Sequence, residues 1–376
     1  MKNTAFRITA AALLVFILLF NIGTVLRHKG MLSYHENRKL EPMPEASVSS
    51  FMDGSCSRQL GRYMTDHFAC RSLWIAASAD IQANLTESIV NGVYVSSKRL
   101  LNTDFPETFP TDKAASSVNR FTSEHNGAVY FVAVPTSSGV YSDELPPYMT
   151  VNYEREQINA VYDSLDNRIR TVDACNILKM LNDHYIYYRN DSKWTSYGAY
   201  CVYRTVIQKL GFQPVTLDKY TINHISDDFY GNLYNRTRYT KAKADLIDIY
   251  EYPEGARVMN CTKTMSDGKV VQSGQYDIKK LNTGYKYDVY AGERAPVTNI
   301  TTDVNNDKKL LVIGDSYVDC FIPFLVQHYT DITVVYPEEL EKPVDEYIDT
   351  NDYEQTLFLF GIDSIGRENF FENINN

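Results

Sequence analysis

The central and C-terminal parts of the chain contain short, strongly apolar runs of the kind that form buried strands. They are rich in β-branched and aromatic residues and are bounded by Pro, Gly, Asn or Asp. The runs are AVYFVAVP (128–135), RIRTVDA (168–174), KLLVIGD (309–315), ITVVYP (332–337) and TLFLFGID (356–363). Stretches with helical spacing lie between them, at 114–125, 153–166, 195–210 and 316–328. This alternation predicts a mostly parallel sheet in a three-layer α/β sandwich.

Residues 217–305 interrupt the alternation. They are rich in Tyr, Asn, Asp, Lys and Thr, with alternating stretches such as ADLIDIYEY and KYDVYAG and a hairpin signal at Ser266–Gly268. We therefore expect an antiparallel β insertion packed beside the α/β core. The 29 tyrosines of the chain fit a sugar-binding face, because Tyr has a flat apolar ring and a polar tip, but half-buried strands also use Tyr routinely.

The N-terminal segment predicts a membrane anchor. Ile8 to Leu26 carry no charge, and as a helix they extend roughly 28 Å, which matches a bilayer core. The alanines come before the most apolar part of this segment, whereas a cleavable secretory signal has small residues after it. This order favours an uncleaved anchor, and a cleaved secretory signal is the alternative. We expect an anchor at 1–29, a proline-containing stalk at 30–50, and an extracytoplasmic α/β domain at 51–376 that starts with helical spacing at 51–82 and carries the insertion 217–305.

Composition excludes several classes of protein. With 44% hydrophobic and 22% charged residues the chain is globular. Its net charge is −10, and four basic residues lie before residue 30, so the remainder is more negative still and a nucleic-acid partner is disfavoured. The six cysteines show no zinc-site spacing, so no metal is expected. Cys56 and Cys70 are the favoured disulfide pair, with buried free thiols as the alternative.

A first candidate for chemistry is the tripeptide Gly314-Asp315-Ser316, which directly follows an apolar strand and precedes a stretch with helical spacing. This arrangement presents a serine hydroxyl at the carboxyl edge of the sheet, where backbone donors at a helix N-terminus can stabilise an oxyanion. The alternative role is a helix cap formed by Asp315 or Ser316. A similar Gly361-Ile362-Asp363-Ser364 follows the last strand, and there we expect Asp363 or Ser364 to cap the final helix.

A second candidate is the segment YYRNDSKWTSYGAY, residues 187–200. Trp194 is one of two tryptophans in the chain, and Thr195 and Ser196 follow it at the start of a helical stretch. Residues 191–196 are therefore expected to form a loop that caps this helix at an edge of the sheet.

These segments also occur in the order of a known family. ENRKL (36–40) with a following proline, Asp66-His67-Phe68 with Arg71, YYRNDSKWTSYGAY, FYGNLY (229–234) and the Gly-Asp-Ser turn resemble the DHHW family of SGNH-hydrolase-like envelope proteins, related to the alginate O-acetyltransferases. The resemblance covers nearly the whole chain after the anchor. It implies an SGNH-like fold and a serine esterase or acyltransferase, with Ser316 as the nucleophile, Asp191 as the acid and a histidine two residues later as the base.

The chain departs from the family at this base, because Asp191-Ser192-Lys193-Trp194 replaces Asp-His-His-Trp. A serine nucleophile needs a proton acceptor near neutral pH, and lysine serves only if its pKa falls by about three units. A carboxylate two residues away favours the ammonium form. We therefore prefer an ion pair between Lys193 and Asp191 to a Ser316–Lys193 dyad. His67 and His224 remain open as substitute bases, whereas His184 and His328 are predicted to be too far away.

Two classes of function follow. The first is O-acetyl transfer or ester hydrolysis on a cell-surface polysaccharide, with Ser316, Asp191 and Lys193 at the site. Asp315, Trp194, Gly231 and Asn232 would then bind substrate or an oxyanion, with a plain turn as the alternative for Gly231 and Asn232. The second is a catalytically degenerate relative that binds glycan or assists envelope assembly. No cofactor is implied, and the expected partners are the glycan, the membrane and a membrane-bound protein that donates the acyl group.

Overall fold

The computed structural model describes residues 2–26, 32–33, 38–44, 47–85, 88–104, 109, 111–149, 154–367 and 371–375. Within the predicted segments, residues 27–29 of the anchor, parts of the stalk, and Glu36 and Asn37 of the family motif lie outside these ranges. The chain divides into two compact units. Unit 1 comprises Met1–Val90 and Asn235–Lys241, and unit 2 comprises Asn91–Tyr234 and Ala242–Asn376.

The helices and strands of the described ranges are numbered in chain order. The helices are α1 (Lys2–Leu26), α2 (Val48–Met52), α3 (Ser55–His67), α4 (Arg71–Leu85), α5 (Thr111–Glu124), α6 (Ser137–Val140), α7 (Glu154–Ser164), α8 (Ala174–Met180), α9 (Ser196–Lys209), α10 (Asn232–Thr237), α11 (Ile322–Leu325) and α12 (Ile362–Ile365). The strands are β1 (Leu32–Ser33), β2 (Arg38–Lys39), β3 (Ile89–Val90), β4 (Val93–Val95), β5 (Leu100–Asn102), β6 (Ala128–Val134), β7 (Arg170–Val172), β8 (Thr221–Phe229), β9 (Asp245–Glu251), β10 (Val258–Thr264), β11 (Val270–Gln272), β12 (Val297–Thr302), β13 (Lys309–Gly314), β14 (Asp331–Val335) and β15 (Gln355–Gly361).

Unit 2 is built on one large sheet with the strand order β11-β10-β12-β14-β13-β15-β6-β7. Strands β14, β13, β15, β6 and β7 run parallel, and they are the five strands that the apolar runs predict. In β6, Tyr130 and Val132 pack in one apolar core and Val129 and Phe131 pack in another. Both faces of β6, β13, β14 and β15 are covered, which explains why these four strands are almost entirely apolar instead of alternating, whereas the edge strand β7 exposes Arg170. The mixed α/β fold with a mostly parallel sheet is confirmed.

The insertion is antiparallel, as expected, but three of its strands extend the main sheet itself. Strand β12 pairs antiparallel with β14, β10 pairs with β12, and β11 pairs with β10. The turn between β10 and β11 contains Gly268 at φ +80°, in the region that favours glycine, so the hairpin signal is confirmed. Strands β8 and β9 form a separate pair. The stretch KYDVYAG is not a strand, because Lys286–Val289 form a 3-10 turn.

The helix predicted at 316–328 is reduced to the single turn α11, and this prediction is wrong. Turns precede α11, with the Val318 N–H donating to the Asp315 carbonyl and the Phe321 N–H to the Val318 carbonyl. The segment is buried on all sides, so its apolar spacing does not mark one face of a helix. The expected cap of α12 is wrong as well, because neither Asp363 nor Ser364 caps it with a side-chain hydrogen bond.

In unit 1 the described helices are α1 to α4. Among the described residues, no helix is both long enough and apolar enough to count as a membrane span. Cys56 and Cys70 are not bridged, and every cysteine of the chain is a free thiol. The family motif residues Asp66 and His67 are buried, and they bind the Glu41 N–H at 2.9 Å and the Glu41 carbonyl at 3.1 Å. They therefore hold Glu41, which lies within the predicted stalk, and the ring of His67 is already engaged in this contact.

Candidate functional site

The turn after β13 is fixed by the side chain of Asp315. This buried carboxylate accepts hydrogen bonds from the Tyr317 N–H at 2.9 Å and, through its other oxygen, from the Gly361 N–H at the end of β15 at 2.8 Å. A Cβ on Gly314 would overlap Val318 and lie 2.5 Å from the Leu359 carbonyl oxygen, so the tight turn requires glycine. Two neighbouring parallel strands are thereby tied together at their carboxyl ends.

Ser316 sits on this turn in a half-buried position. Its carbonyl accepts a hydrogen bond from the Tyr287 hydroxyl at 3.1 Å. Its own hydroxyl and its N–H make no hydrogen bond to the residues that the structure describes. Both groups are therefore available to a ligand, the hydroxyl as a nucleophile and the N–H as an oxyanion donor.

The second loop is closed by a bridge between Tyr187 and Trp194. Thr195 caps α9 by accepting a hydrogen bond from the Gly198 N–H, which confirms the predicted cap. Within the loop Asp191 is fully buried. Its carboxylate accepts hydrogen bonds from the Lys193 N–H at 2.9 Å, the Asn232 N–H at 2.6 Å and the Tyr285 hydroxyl at 3.0 Å. Asp191 thus ties together three separate segments of the chain.

The two loops meet through aromatic side chains. The Trp194 indole N–H donates to the Tyr317 carbonyl at 3.0 Å, and the Tyr317 hydroxyl donates to the Ser192 carbonyl at 3.0 Å. The Trp194 and Tyr317 rings pack edge to face with centroids 5.4 Å apart. The structure therefore brings Asp191, Lys193 and Trp194 together with the Asp315–Tyr317 turn.

Lys193 does not form the expected ion pair with Asp191. Its ammonium lies 4.5 Å from the centroid of the Tyr317 ring and has no carboxylate within 4.0 Å in the described part of the chain. Lys193 reaches Asp191 through its backbone instead, because its N–H donates to the Asp191 carboxylate. Its long side chain extends away to the Tyr317 ring. The ring face attracts the ammonium as a cation–π partner.

Burial and charge act in opposite directions on the two carboxylates. Burial raises the pKa of Asp191 and of Asp315, and the positive charge of Lys193 lowers both. Backbone N–H donors lower the pKa of each carboxyl as well. The ammonium is thus close enough to influence both loops without bonding to either carboxylate.

No described histidine of unit 2 replaces the missing base. His328 is buried against Tyr203, and burial lowers its pKa to about 4. His224, which sequence reasoning left open, is exposed and pairs with Asp248 at 2.6 Å. His125 contacts Thr350, and His184 is half exposed beside Tyr197.

The predicted oxyanion donors are already occupied. The Gly231 N–H donates to the Asn190 side chain at 2.6 Å, and the Asn232 N–H donates to Asp191. The Asn232 amide also accepts from the Ser192 N–H at 3.0 Å and donates to the Ser192 hydroxyl at 2.8 Å. A Cβ on Gly231 would overlap the Asp191 side chain. In this structure Gly231 and Asn232 therefore brace the loop of Asp191, which the plain-turn alternative predicts.

Sequence analysis missed several residues that hold the site. Tyr285 binds Asp191 and Tyr287 binds Ser316, and burial raises the pKa of both phenols well above 10. Asp319, three residues after Ser316, is buried and forms an ion pair with Arg294 at 2.6 Å. The alternation of Tyr285 and Tyr287 was visible in the sequence, but nothing local shows that each phenol reaches a loop far along the chain.

Comparison with known proteins shows which solved structures have a similar fold. The structure is similar to a DHHW family protein from Eubacterium siraeum, with 22% identity and a TM-score of 0.65 over 76% of this chain and 97% of that one. It is also similar to PatB1 from Bacillus cereus, solved with a sulfonyl adduct, with 18% identity and a TM-score of 0.63 over 75% of this chain and 98% of that one. These likenesses show the fold.

No curated protein is similar enough to the chain to count as a match. The O-acetyltransferase domain of AlgJ from Pseudomonas putida has 11% identity and a TM-score of 0.44 over 74% of this chain and 93% of that one. The family described as DHHW protein matches residues 112–335, a range that contains both site loops. This match covers more than half of the sequence, and the chain belongs to the DHHW protein family.

Proposed function

We propose that the protein is an SGNH-like acyl-ester enzyme anchored outside the cytoplasm, which transfers or removes O-acetyl groups on a cell-surface polysaccharide. The observation that carries this proposal is the Ser316 hydroxyl, which has no hydrogen-bond partner among the described residues and lies on a turn at the carboxyl edge of the sheet. The three-layer architecture, with helices on both faces of the sheet, belongs to the same proposal. The uncharged segment from Ile8 to Leu26 supports the anchoring.

In this mechanism the Ser316 oxygen attacks the carbonyl carbon of an acyl ester. The Ser316 N–H stabilises the oxyanion, and the proton of the hydroxyl passes to Lys193 in its neutral form. The leaving alcohol takes that proton as its bond to the acyl carbon breaks. A glycan hydroxyl or water then attacks the acyl-enzyme and gives its proton to Lys193, which returns it to the Ser316 oxygen as the acyl–Ser316 bond breaks. Asp191 does not relay protons here, because three donors already bind it, and it positions the loop that carries Lys193.

A second candidate function is glycan binding without turnover. It is favoured by the surroundings of Lys193, whose ammonium faces the Tyr317 ring and lies near the carboxyls of Asp191 and Asp315, since an ammonium cannot accept a proton. A site of this kind keeps the fold and still binds glycan, but it lacks the rate enhancement that a triad base supplies.

Labelling of the purified full-length protein separates the two functions. We choose a sulfonyl fluoride because the related PatB1 carries a sulfonyl adduct, and we measure hydrolysis of an activated acetyl ester in parallel. The enzyme proposal expects labelling and turnover that vanish in Ser316→Ala and persist in Ser266→Ala, an exposed hairpin serine. It also expects rates that rise toward alkaline pH, because only neutral lysine accepts a proton.

The opposite outcome identifies the binding function. No labelling and no turnover at any pH, together with retained binding of an acetylated polysaccharide by both wild type and Ser316→Ala, would rule out the enzyme.

A further inference from the structure

Helix α4 of unit 1 exposes an apolar face. Leu73, Trp74, Ile81 and Leu85 are exposed by 68%, 54%, 57% and 77%, which is far above what core residues show. At about 100° per residue these four side chains fall within roughly 120° of the helix circumference, and the stripe from Leu73 to Leu85 is about 18 Å long. No charged residue lies inside this arc, and we refer to the four residues as the α4 face.

Two further apolar surfaces of unit 1 are exposed as well. Helix α2 has a capping box at Ser47 but buries none of its residues, and Val48, Phe51 and Met52 are exposed by 84%, 69% and 87%. Apolar side chains of α1, from Phe6 to Ile22, are exposed by 45% to 75%. A soluble surface seldom exposes this many large apolar side chains on neighbouring stretches of sequence.

The end of α1 is fixed next to the start of α4. Thr24 is buried, and its hydroxyl accepts a hydrogen bond from the Ala69 N–H at 3.1 Å, in the turn that leads from α3 into α4. Whatever medium covers the apolar side chains of α1 therefore lies close to the first turn of α4, which carries Leu73 and Trp74.

We propose that the α4 face binds the surface of a lipid bilayer, with α4 lying in the interface between the headgroups and the acyl chains. The continuity with α1 favours a bilayer over a protein, because a protein partner would have to cover two helices of 25 and 15 residues at once. Tryptophan is preferred at this depth of a membrane, and the absence of charge in the arc fits acyl chains. The inference does not depend on whether Ser316 is reactive.

The two tryptophans of the chain allow a direct test. Trp194 is fully buried in unit 2, whereas Trp74 lies on the α4 face. The full-length protein is mixed with phosphatidylcholine vesicles, with and without phosphatidylglycerol, that carry bromine at a shallow or a deep acyl position. An interfacial helix sits about 5 to 10 Å into the boundary, so we expect the shallow bromines to quench tryptophan emission more strongly. The quenched component should vanish in Trp74→Phe and persist at high salt.

Charge variants separate the α4 face from simple proximity to α1. Ile81→Glu/Leu85→Glu should abolish the quenching of Trp74 while circular dichroism and Trp194 emission stay unchanged. The matched control, Ser72→Glu, adds a charge to the exposed opposite side of the same helix and should leave the quenching intact.

Three results would overturn the proposal. One is vesicle-bound protein in which Trp74 is not quenched, and another is quenching that survives Ile81→Glu/Leu85→Glu. The third is Trp74 emission that shifts with protein concentration in the absence of lipid, because a second copy of the chain would then cover the face.

Discussion

The two loops that meet at the candidate site differ in what their polar groups are free to do. In the loop of Ser316, Asp315 is used to shape the turn, and the serine hydroxyl and N–H stay available. In the loop of Asp191, the carboxylate accepts three hydrogen bonds from within the protein, and the neighbouring donors of Gly231 and Asn232 are also occupied. The polar groups of Ser316 are thus left for a ligand, while those around Asp191 are bound within the protein.

This difference shows which of the two loops has polar groups left for a ligand. A triad acid that binds an imidazole keeps one oxygen for the ring N–H. Here the ammonium of Lys193, the base of the proposed mechanism, faces Tyr317, and the phenol of Tyr285 donates to the same Asp191 oxygen as the Asn232 N–H. The loop that carries Lys193 is therefore stabilised by a hydrogen-bond network that uses no histidine.

The largest expected effect tests how rigidly the Ser316 turn is specified. Gly314→Ala places a Cβ against Val318 and against the Leu359 carbonyl, and a backbone atom cannot move away cheaply. We expect the free energy of unfolding to fall by about 3 kcal/mol in urea denaturation. The control is Gly61→Ala in α3, where a Cβ meets nothing within 4 Å and a slight gain is expected. Equal stabilities of the two variants would show that the turn is looser than the structure indicates.

The next effect tests whether Tyr285 keeps the Asp191 loop closed to a base. Lys193→His alone supplies an imidazole, but Tyr285 still occupies the carboxylate. We expect Lys193→His/Tyr285→Phe to hydrolyse an activated acetyl ester about 100-fold faster than wild type, in kcat/KM, and faster than Lys193→His. Lys193→His/Tyr287→Phe is the matched control, since its phenol serves the other loop. If all three variants react at the same rate, occupancy of Asp191 is not what limits the site.

How far the sequence predicts this arrangement depends on the range of the interactions. Four of the five parallel strands were predictable because burial on both faces makes each of them a nearly uninterrupted apolar run, and β7 followed from the β-branched residues of its edge strand. The turn at Ser316 was predictable because a strand ends there in Gly-Asp-Ser. The turns that replace most of the predicted helix at 316–328 were not predictable, because a segment buried all round has no polar face to set its period. The contact of Tyr285 with Asp191 was not predictable either, because it spans 94 residues that no local pattern connects.

A third effect concerns pH and the segment that carries Tyr285 and Tyr287. Burial raises the pKa of Asp288 to about 6, and the charge of Arg294 partly offsets this. The folded protein therefore binds this proton more tightly than the unfolded chain does, and stability falls as pH rises from about 4 to 6 and is level above. We expect the free energy of unfolding of wild type, relative to Asp288→Asn, to drop by about 2 kcal/mol between pH 4 and pH 7. If the difference in free energy of unfolding between wild type and Asp288→Asn does not change with pH, the Asp288 carboxyl is exposed to solvent and the prediction is wrong.

The smallest effect compares the two phenols directly, one serving each loop. Tyr285→Phe removes a hydrogen bond to a carboxylate, and Tyr287→Phe removes one to the neutral Ser316 carbonyl. Hydrogen bonds to charged groups contribute about 1 kcal/mol more than neutral ones, so Tyr285→Phe should be the less stable variant by about that amount. Urea denaturation measures the difference, and Asp191→Asn in both backgrounds checks its origin, because the gap should shrink once the charge is gone. A gap that persists in Asp191→Asn would mean that packing of the rings, and not the charge on Asp191, distinguishes the two loops.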